Sequence, residues 1–475
     1  MDSTLKLVST QKLAHQLFAL VPFTQVLIED KFWTARMKAS QKTTLAACLA
    51  HCENTGRISN FAKAAGLVEG EFEGIFYNDS DVYKVIEGVS YSLMNQPDAE
   101  LEAQVDRIID FIAAAQGEDG YLQTYFTLSE PNNKWTDMSK HEEYCAGHLI
   151  EAAIAYKQAT GKKKLLNTAI KLAVHIDSLF GPDKRHWVPG HQEIELALIR
   201  LYVETNEARY WKLAYWFLEE RGQGHGSGYS WERADWGKAY SQDHLPVRVM
   251  STVTGHAVRA VYMYTAMTDV AALTGDEDYI TALDRLWDNV ANKNMYITGG
   301  IGPSQHNEGF TEDYDLPNQS AYCETCASVA MVYWNHQMNL LHGDSKYADV
   351  VEREMYNGAL SGVSLSGDKF FYVNPLETAG THHRVEWYDC SCCPTQIARF
   401  IPSIGNYVYG LNKEQIMINQ YIAGTGSLQI GNEVVKLKQT TNFPWIGQVS
   451  IQVEETGASP YELLLRIPGW CRSFE

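Results

Sequence analysis

The chain has 475 residues, and its 39 Lys and Arg against 58 Asp and Glu give a formal net charge of −19. With 45% apolar and 20% charged residues, its composition is that of a soluble globular protein long enough for two or more domains. The negative charge argues against nucleic acid and against a membrane surface as partners, because both bind basic faces. The sequence also has no run of apolar residues long enough to predict a membrane-spanning helix.

A short apolar patch covers residues 17–21. Polar residues interrupt it and no small-residue cleavage site follows, so we interpret it as the first helix and not as a signal peptide. Nine cysteines are an odd number in a chain without an export signal. We therefore expect reduced thiols and a cytoplasmic location.

Apolar residues recur at helical spacing from about residue 10 to about residue 410. Helix–break–helix units are predicted there, with breaks near residues 160, 205, 274 and 342. Repeated helical hairpins indicate a solenoid or a closed toroid, and an open array of this length would need polar caps. The prediction is a mainly α fold, with an (α/α)6 barrel over residues 1–412.

After residue 412 the pattern changes to short β-rich segments separated by Gly, Asn and Pro. The segments are 416–418, 434–437, 449–453 and 463–467. They predict the start of an all-β domain, a β-sandwich, over residues 413–475. About 60 residues are few for a complete sandwich. We therefore expect a truncated domain whose further strands would complete its core or a homodimer interface.

Three cysteines lie within four residues in the segment 389–395, DCSCCPT, and Cys323 and Cys326 lie about 65 residues upstream. Adjacent cysteines do not easily form a disulfide with each other, because the bond needs a specific Cβ geometry. Glu324 and Cys326 with the adjacent pair 392–393 could supply four metal ligands, although the spacing is not that of a zinc finger. The alternative is a set of buried free thiols. The clustering favours a metal or catalytic site.

Acidic and histidine residues supply further candidates. The Gly-rich loop 299–318 carries four acids, and the pattern does not choose among them: Glu308, Glu312, Asp313 and Asp315. Gly-His pairs at 147–148, 190–191 and 255–256 are predicted to open helices, with His141 and His244 in preceding loops. His256 and Glu324 each lie 18 residues before a predicted break, so we expect them to begin equivalent inner helices at the same end of the barrel.

Four sequence runs together resemble glycoside hydrolase family 127 and the related family 146, which contain β-L-arabinofuranosidases. The runs are 79–84 (DSDVYK), 119–122 (DGYL), 322–326 (YCETC) and 390–394 (CSCCP). The resemblance extends from the Phe-Trp pair at 32–33 to the Pro-Gly-Trp run at 468–470. It departs from the family pattern at Thr395, where a second proline is expected, and in the shorter β region.

The resemblance implies an (α/α)6 barrel followed by β-sandwich domains, and it implies a role for individual residues. The implied zinc ligands are Glu324, Cys326, Cys392 and Cys393. Cys392 would also be the nucleophile, and Glu308 would be the acid/base. The implied sugar-binding residues are His191, His256, Tyr372 and one of His141 and His148, with His141 preferred. Aromatic residues of the loops, such as Trp236, could stack on sugar rings.

The implied function is a zinc-dependent, retaining, exo-acting β-L-arabinofuranosidase acting on plant-derived arabino-oligosaccharides. A zinc-bound thiol stays deprotonated, and its attack on the anomeric carbon would give a thioglycosyl intermediate that water later releases. Two alternatives remain open at this point. One is a sugar epimerase or lyase on a helical toroid. The other is a glycan-binding protein in which zinc is purely structural.

Overall fold

The computed structural model describes residues 12–457 and 460–475. The helices are α1 Trp33–Ala39, α2 Leu45–Asn54, α3 Arg57–Ala64, α4 Asp79–Asn95, α5 Ala99–Ala114, α6 Thr124–Leu128, α7 Glu142–Thr160, α8 Lys164–Leu179, α9 Ile194–Thr205, α10 Ala208–Glu219, α11 Tyr229–Glu232, α12 Gly237–Tyr240, α13 Ala257–Thr274, α14 Glu277–Asn289, α15 Thr325–His342, α16 Ser345–Arg353 and α17 Cys392–Phe400. The strands are β1 Ala19–Leu20, β2 Val26–Ile28, β3 Tyr409–Leu411, β4 Gln415–Ile418, β5 Gly424–Ile430, β6 Glu433–Thr441, β7 Val449–Glu455 and β8 Glu462–Leu465.

Six helices form a closed inner ring. In chain order α4, α7, α9, α13, α15 and α17 each pack against the next, and α17 returns to α4. An outer helix follows each of the first five inner helices and packs against it; these are α5, α8, α10, α14 and α16. The inner helices are buried on almost every face, whereas α5 buries a single stripe of Val and Ile side chains. The predicted (α/α)6 barrel is thereby confirmed.

The predicted breaks between paired helices are confirmed as left-handed caps. Gly161, Asn206, Gly275 and Gly343 directly follow α7, α9, α13 and α15, with φ angles of 77°, 59°, 71° and 70°. Each backbone N–H bonds a carbonyl in the last turn of its helix. Gly and Asn tolerate this conformation better than other residues, which explains why Thr-Gly, Thr-Asn and His-Gly pairs end these inner helices.

The strands form two four-stranded sheets with orders β1-β3-β4-β8 and β2-β5-β6-β7. The predicted β segments all contribute strands, but both sheets also take an N-terminal strand. Ala19 pairs with Leu411, and Val26 pairs with Gly426. The prediction of a helix at residues 17–21 is wrong, because this patch is too short to nucleate a helix and pairs instead with β3. A boundary between residues 412 and 413 stays a prediction, because strands from both ends of the chain share the sheets.

Within the described ranges, no helix combines the length and the apolar character needed to cross a bilayer.

Candidate active site

A cavity of about 290 Å³ opens at the end of the barrel where the inner helices begin. His256 is the N-cap of α13, Glu324 directly precedes α15, and Cys392 is the first residue of α17. The predicted equivalence of His256 and Glu324 is confirmed. The residues that line the cavity include three histidines, two acids, one tyrosine and three cysteines: His141, His191, His256, Glu308, Glu324, Tyr372, Cys326, Cys390 and Cys392.

The cysteine cluster forms one side of this cavity. The Sγ atoms of Cys326 and Cys393 lie 3.4 Å apart, and those of Cys392 and Cys393 lie 3.9 Å apart. Glu324 Oε1 lies 3.5 Å from Cys392 Sγ and 3.6 Å from Cys393 Sγ. All four ligand atoms lie within 4.8 Å of one another, so the residues could hold one metal ion.

The electrostatics of the cluster favour a bound cation. Burial raises the pKa of the Glu324 carboxyl and of the Cys393 thiol well above their ordinary values, and the neighbouring Cys392 raises both further. The second carboxylate oxygen, Glu324 Oε2, is buried without a hydrogen-bond partner among the residues that the structure describes. A divalent cation would replace the protons of such a cluster and satisfy this oxygen.

The ion pair of Arg57 and Asp81 holds the cysteine segment, because each of its side chains bonds a residue of that segment. The Arg57 guanidinium donates to Asp81 Oδ2 at 2.9 Å and to the backbone oxygen of Asp389 at 2.6 Å.

Thr395 stands where a second proline was expected, and its hydroxyl lies 2.9 Å from Ser391 O. The hydroxyl therefore stabilises the first turn of α17 by a bond that proline could not make.

Cys392 differs from Cys393 because it faces the cavity. Cys393 is fully buried, whereas Cys392 is partly exposed. Its Sγ lies 3.2 Å from the Tyr372 hydroxyl and 3.8 Å from Cys390 Sγ. Cys392 is also the first residue of α17, so its sulfur lies beside the positive end of the helix dipole.

Glu308 faces the cavity, whereas the other three loop acids do not line it. Glu312 and Asp315 are exposed, and Asp313 binds Lys293 on the outer surface. Glu308 adopts a left-handed backbone with φ 50°, and its carbonyl accepts a hydrogen bond from Ala257 N at 3.1 Å. This conformation turns the side chain inward from the loop.

Two side chains contact the Glu308 carboxylate. It accepts a hydrogen bond from the Tyr322 hydroxyl at 3.0 Å and lies 3.6 Å from His256 Nε2. Burial raises the pKa of Glu308, but the contacts from His256 and Tyr322 outweigh burial and lower the pKa to about 2. The nearest ligand atoms of His256, Glu308 and Glu324 lie within 4.8 Å of one another, so Glu308 flanks the same carboxylate that Cys392 contacts.

Three histidines form another part of the cavity wall. The rings of His141 and His191 lie 5.3 Å apart, those of His191 and His256 lie 5.5 Å apart, and His141 stacks on Tyr77 at 4.6 Å. Burial lowers the pKa of all three imidazoles. Neutral imidazole both donates and accepts hydrogen bonds, so this wall can bind hydroxyl groups.

Of His141 and His148, only His141 lines the cavity. His141 directly precedes α7 and lines the cavity, whereas His148 lies within α7, fully buried, with Nδ1 3.1 Å from Glu193 Oε1. The prediction that Gly147-His148 opens a helix is wrong, because α7 begins six residues earlier at Glu142. His244 lies outside the residues that line the cavity.

Sequence reasoning missed several residues of the site. Arg259 lines the cavity, donates to Gly190 O, and lies 4.5 Å from the Tyr240 ring. It follows His256 by three residues on α13, and this one-turn spacing could have identified it. The cavity also contains Tyr77, Tyr144, Tyr229, Tyr240 and Tyr262. Of the loop aromatics considered from sequence, Trp236 and Tyr372 line the cavity.

Comparison with known proteins gives consistent matches over most of the chain. The profile of the GH127 catalytic domain of β-L-arabinofuranosidases matches residues 25–406, and that of the GH127 middle domain matches residues 415–475. The non-reducing end β-L-arabinofuranosidase of Bifidobacterium longum subsp. longum is 38% identical over 490 residues, which cover 96% of this chain and 73% of that protein.

Two solved structures are similar in fold and sequence. A GH127 β-arabinofuranosidase has a TM-score of 0.91 and 44% identity, covering 96% of this chain and 72% of that one. A GH127 β-L-arabinofuranosidase from Geobacillus stearothermophilus T6 has a TM-score of 0.90 and 42% identity, covering 94% of this chain and 75% of that one. The chain therefore belongs to glycoside hydrolase family 127 and is a glycoside hydrolase.

Proposed function

We propose that this glycoside hydrolase is a zinc-dependent, retaining, exo-acting β-L-arabinofuranosidase that acts on plant-derived arabino-oligosaccharides. Cys392 is the nucleophile and Glu308 the general acid/base. The observation that carries the proposal is that this thiol and this acid flank Glu324 in one cavity, which three histidines also line. The substrate assignment is supported by the activities named for the similar proteins.

The cluster geometry supports zinc. Four ligands placed tetrahedrally around zinc, with bonds of about 2.3 Å to sulfur and about 2.1 Å to oxygen, would have S···S edges of about 3.8 Å and S···O edges of about 3.6 Å. Two of the three S···S separations are 3.4 and 3.9 Å, and two of the three S···O separations are 3.5 and 3.6 Å. Glu324, Cys326, Cys392 and Cys393 would be the ligands. When bound, zinc would stabilise the thiolate form of its cysteines.

The nucleophile is Cys392 because its sulfur is the partly exposed member of the cluster. In the first step its Sγ bonds to the anomeric carbon of the sugar while the glycosidic C–O bond breaks. The Tyr372 hydroxyl, 3.2 Å from Sγ, orients the sulfur toward the sugar. The product of this step is a thioglycosyl enzyme.

Glu308 moves the proton in both steps. It donates a proton to the departing oxygen in the first step and takes one from the attacking water in the second. Two displacements at the same carbon retain its configuration. Sugar hydroxyl groups that bind His256 would weaken its contact with Glu308 and raise the carboxyl pKa toward that of a proton donor.

The cavity suits one terminal sugar. Its volume is at the lower end of the range for small-molecule sites, and His141, His191 and His256 can each bond hydroxyl groups. The leaving sugar must lie beside Glu308, and Trp236 borders the cavity on that side. The Trp236 ring stacks on Tyr240 at 4.0 Å, and its Nε1 donates to His306 O, two residues before Glu308. A cavity with room for one sugar ring and an aromatic surface at its border favours exo action.

The two alternative functions are less well supported. The family assignment argues against an epimerase or lyase. A glycan-binding protein with a structural zinc would have no need of Glu308 beside the cluster. A cytoplasmic location and a homodimer stay predictions, although nine free cysteines suit a reducing compartment.

The test is hydrolysis of an aryl β-L-arabinofuranoside, with the first-formed anomer followed by NMR. We expect retention by the wild type and loss of turnover in Cys392→Ser with an unchanged fold. Cys390→Ser is the matched control, since Cys390 lines the same cavity but is not among the four ligands. Inversion, or substantial activity of Cys392→Ser, would refute the mechanism.

A further inference from the structure

A second cluster of metal-ligating side chains lies apart from the cysteines. His186 Nδ1 lies 2.9 Å and His225 Nδ1 lies 2.6 Å from the same carboxylate oxygen, Glu220 Oε2. The two imidazole rings pack 4.0 Å apart at an interplanar angle of 34°. The Nδ1 atoms of two imidazole rings, which belong to two different loops, therefore face the same carboxylate oxygen.

We propose that His186, Glu220 and His225 bind a divalent first-row transition-metal ion such as Zn²⁺ or Co²⁺. Imidazole nitrogen suits these ions, and two histidines with one carboxylate form one face of a coordination sphere whose other positions water can fill. The His186 and His225 side chains are 47% and 37% exposed, so Nε2–H can meet solvent while Nδ1 binds metal.

The chain segment that carries the carboxylate ligand Glu220 is held before any ion binds. Glu220 directly follows α10, and the next residue, Arg221, is buried and donates to Pro189 O at 2.9 Å in the loop that carries His186. On the other side Gly222 N donates to Asp243 Oδ1 at 2.7 Å. A carboxylate on a segment that is fixed in this way loses little freedom on binding a metal.

Charge distinguishes this cluster from another His/Glu group inside the barrel. His148 and Glu193 lie 3.1 Å apart, but Lys84 and Arg399 both act on His148 as positive charges and would oppose a cation. The ligand sphere of His186 and His225 instead opens to solvent, which gives an ion a path of entry.

A metal ion bound at this cluster would cross-link two loops of the active-site wall. His186 precedes the cavity residue His191, and His225 precedes the cavity residues Tyr229 and Ser230. A metal ion joining the two loops would tie together two segments of the cavity wall. We therefore expect the added ion to raise the melting temperature. The expectation does not depend on the proposed substrate or nucleophile.

The experiment is calorimetric titration of the purified chain with Zn²⁺ alone, followed by absorption spectroscopy with Co²⁺ alone. We expect one equivalent at the histidine cluster, weakened at least tenfold in His225→Gln and in Glu220→Gln. Because this site has no sulfur ligand, its Co²⁺ spectrum should show only weak d–d bands. Co²⁺ on the cysteine cluster would instead give intense sulfur-to-metal charge transfer.

His383→Gln is the matched control, an exposed histidine outside the cluster, and it should bind as the wild type does. Unchanged binding in both His225→Gln and Glu220→Gln would overturn the proposal. So would a wild type in which charge-transfer bands account for all the bound Co²⁺. Loss of hydrolase activity in Cys392→Ser would leave the result unaffected, so the two proposals fail separately.

Discussion

Gly309→Ala tests how closely the position of Glu308 determines the rate. Gly309 follows Glu308 and packs on the segment that begins α13, where an added Cβ would lie 1.8 Å from Gly255 O. An ordinary carbon–oxygen contact is more than 3 Å, so the loop must move by about 1–1.5 Å. A displacement of about 1 Å at a reacting group costs about 100-fold in rate. We expect kcat/KM to fall by about that factor.

The assay compares aryl β-L-arabinofuranosides with good and poor leaving groups. Because a good leaving group needs little protonation, the defect of Gly309→Ala should shrink as the leaving group improves. Gly447→Ala is the control, since a Cβ there meets nothing within 4 Å. Activity of Gly309→Ala within about threefold of wild type, or an equal loss for every leaving group, would refute the reasoning.

Three further predictions concern stability and the leaving-sugar site. Arg399→Met removes a buried guanidinium bonded to two carboxylates at 2.9 and 2.5 Å and should cost about 3–5 kcal/mol in urea unfolding, whereas Lys162→Met at an exposed ion pair should cost under about 1 kcal/mol; equal costs would contradict this. Burial raises the pKa of Asp269 from 3.8 to about 7, so the folded state holds the proton and stability falls as pH rises between those values. Asp269→Asn should therefore gain about 2–3 kcal/mol relative to wild type from pH 5 to pH 8, and exposed Asp183→Asn should not; a parallel profile would contradict the assignment. Trp236→Ala should lower kcat/KM for an arabinobioside about tenfold without changing inhibition by free L-arabinose, and weakened arabinose inhibition would place Trp236 at the wrong subsite.

Local sequence patterns are sufficient to predict much of the barrel. Inner helices end at residues such as Gly275 and Gly343 that accept a left-handed backbone, so the breaks are visible in sequence. Their spacing placed His256 and Glu324 at equivalent helix starts without any fold knowledge. The cluster of Cys326 with the adjacent pair could be suspected from composition, because thiols gathered in this way have few structural uses.

Long-range contacts explain what local pattern could not provide. Residues 17–21 form a strand because they pair with β3 at the other end of the chain. Among four acids in one loop, Glu308 was selected only by family resemblance, since its inward turn depends on the backbone bond to Ala257 and on Tyr322. The pair Gly147-His148 has the same local form as Gly255-His256, but only the second lies at a helix start.

The central claim is that Cys392 carries the sugar during turnover. In Glu308→Gln an activated aryl furanoside should react in the first step and stall in the second, because water lacks its base. Mass spectrometry of the quenched, digested protein should then show one anhydropentose unit on Cys392. A sugar attached at Cys390 or at a carboxylate, or no adduct while the leaving group is released in a burst, would contradict the account.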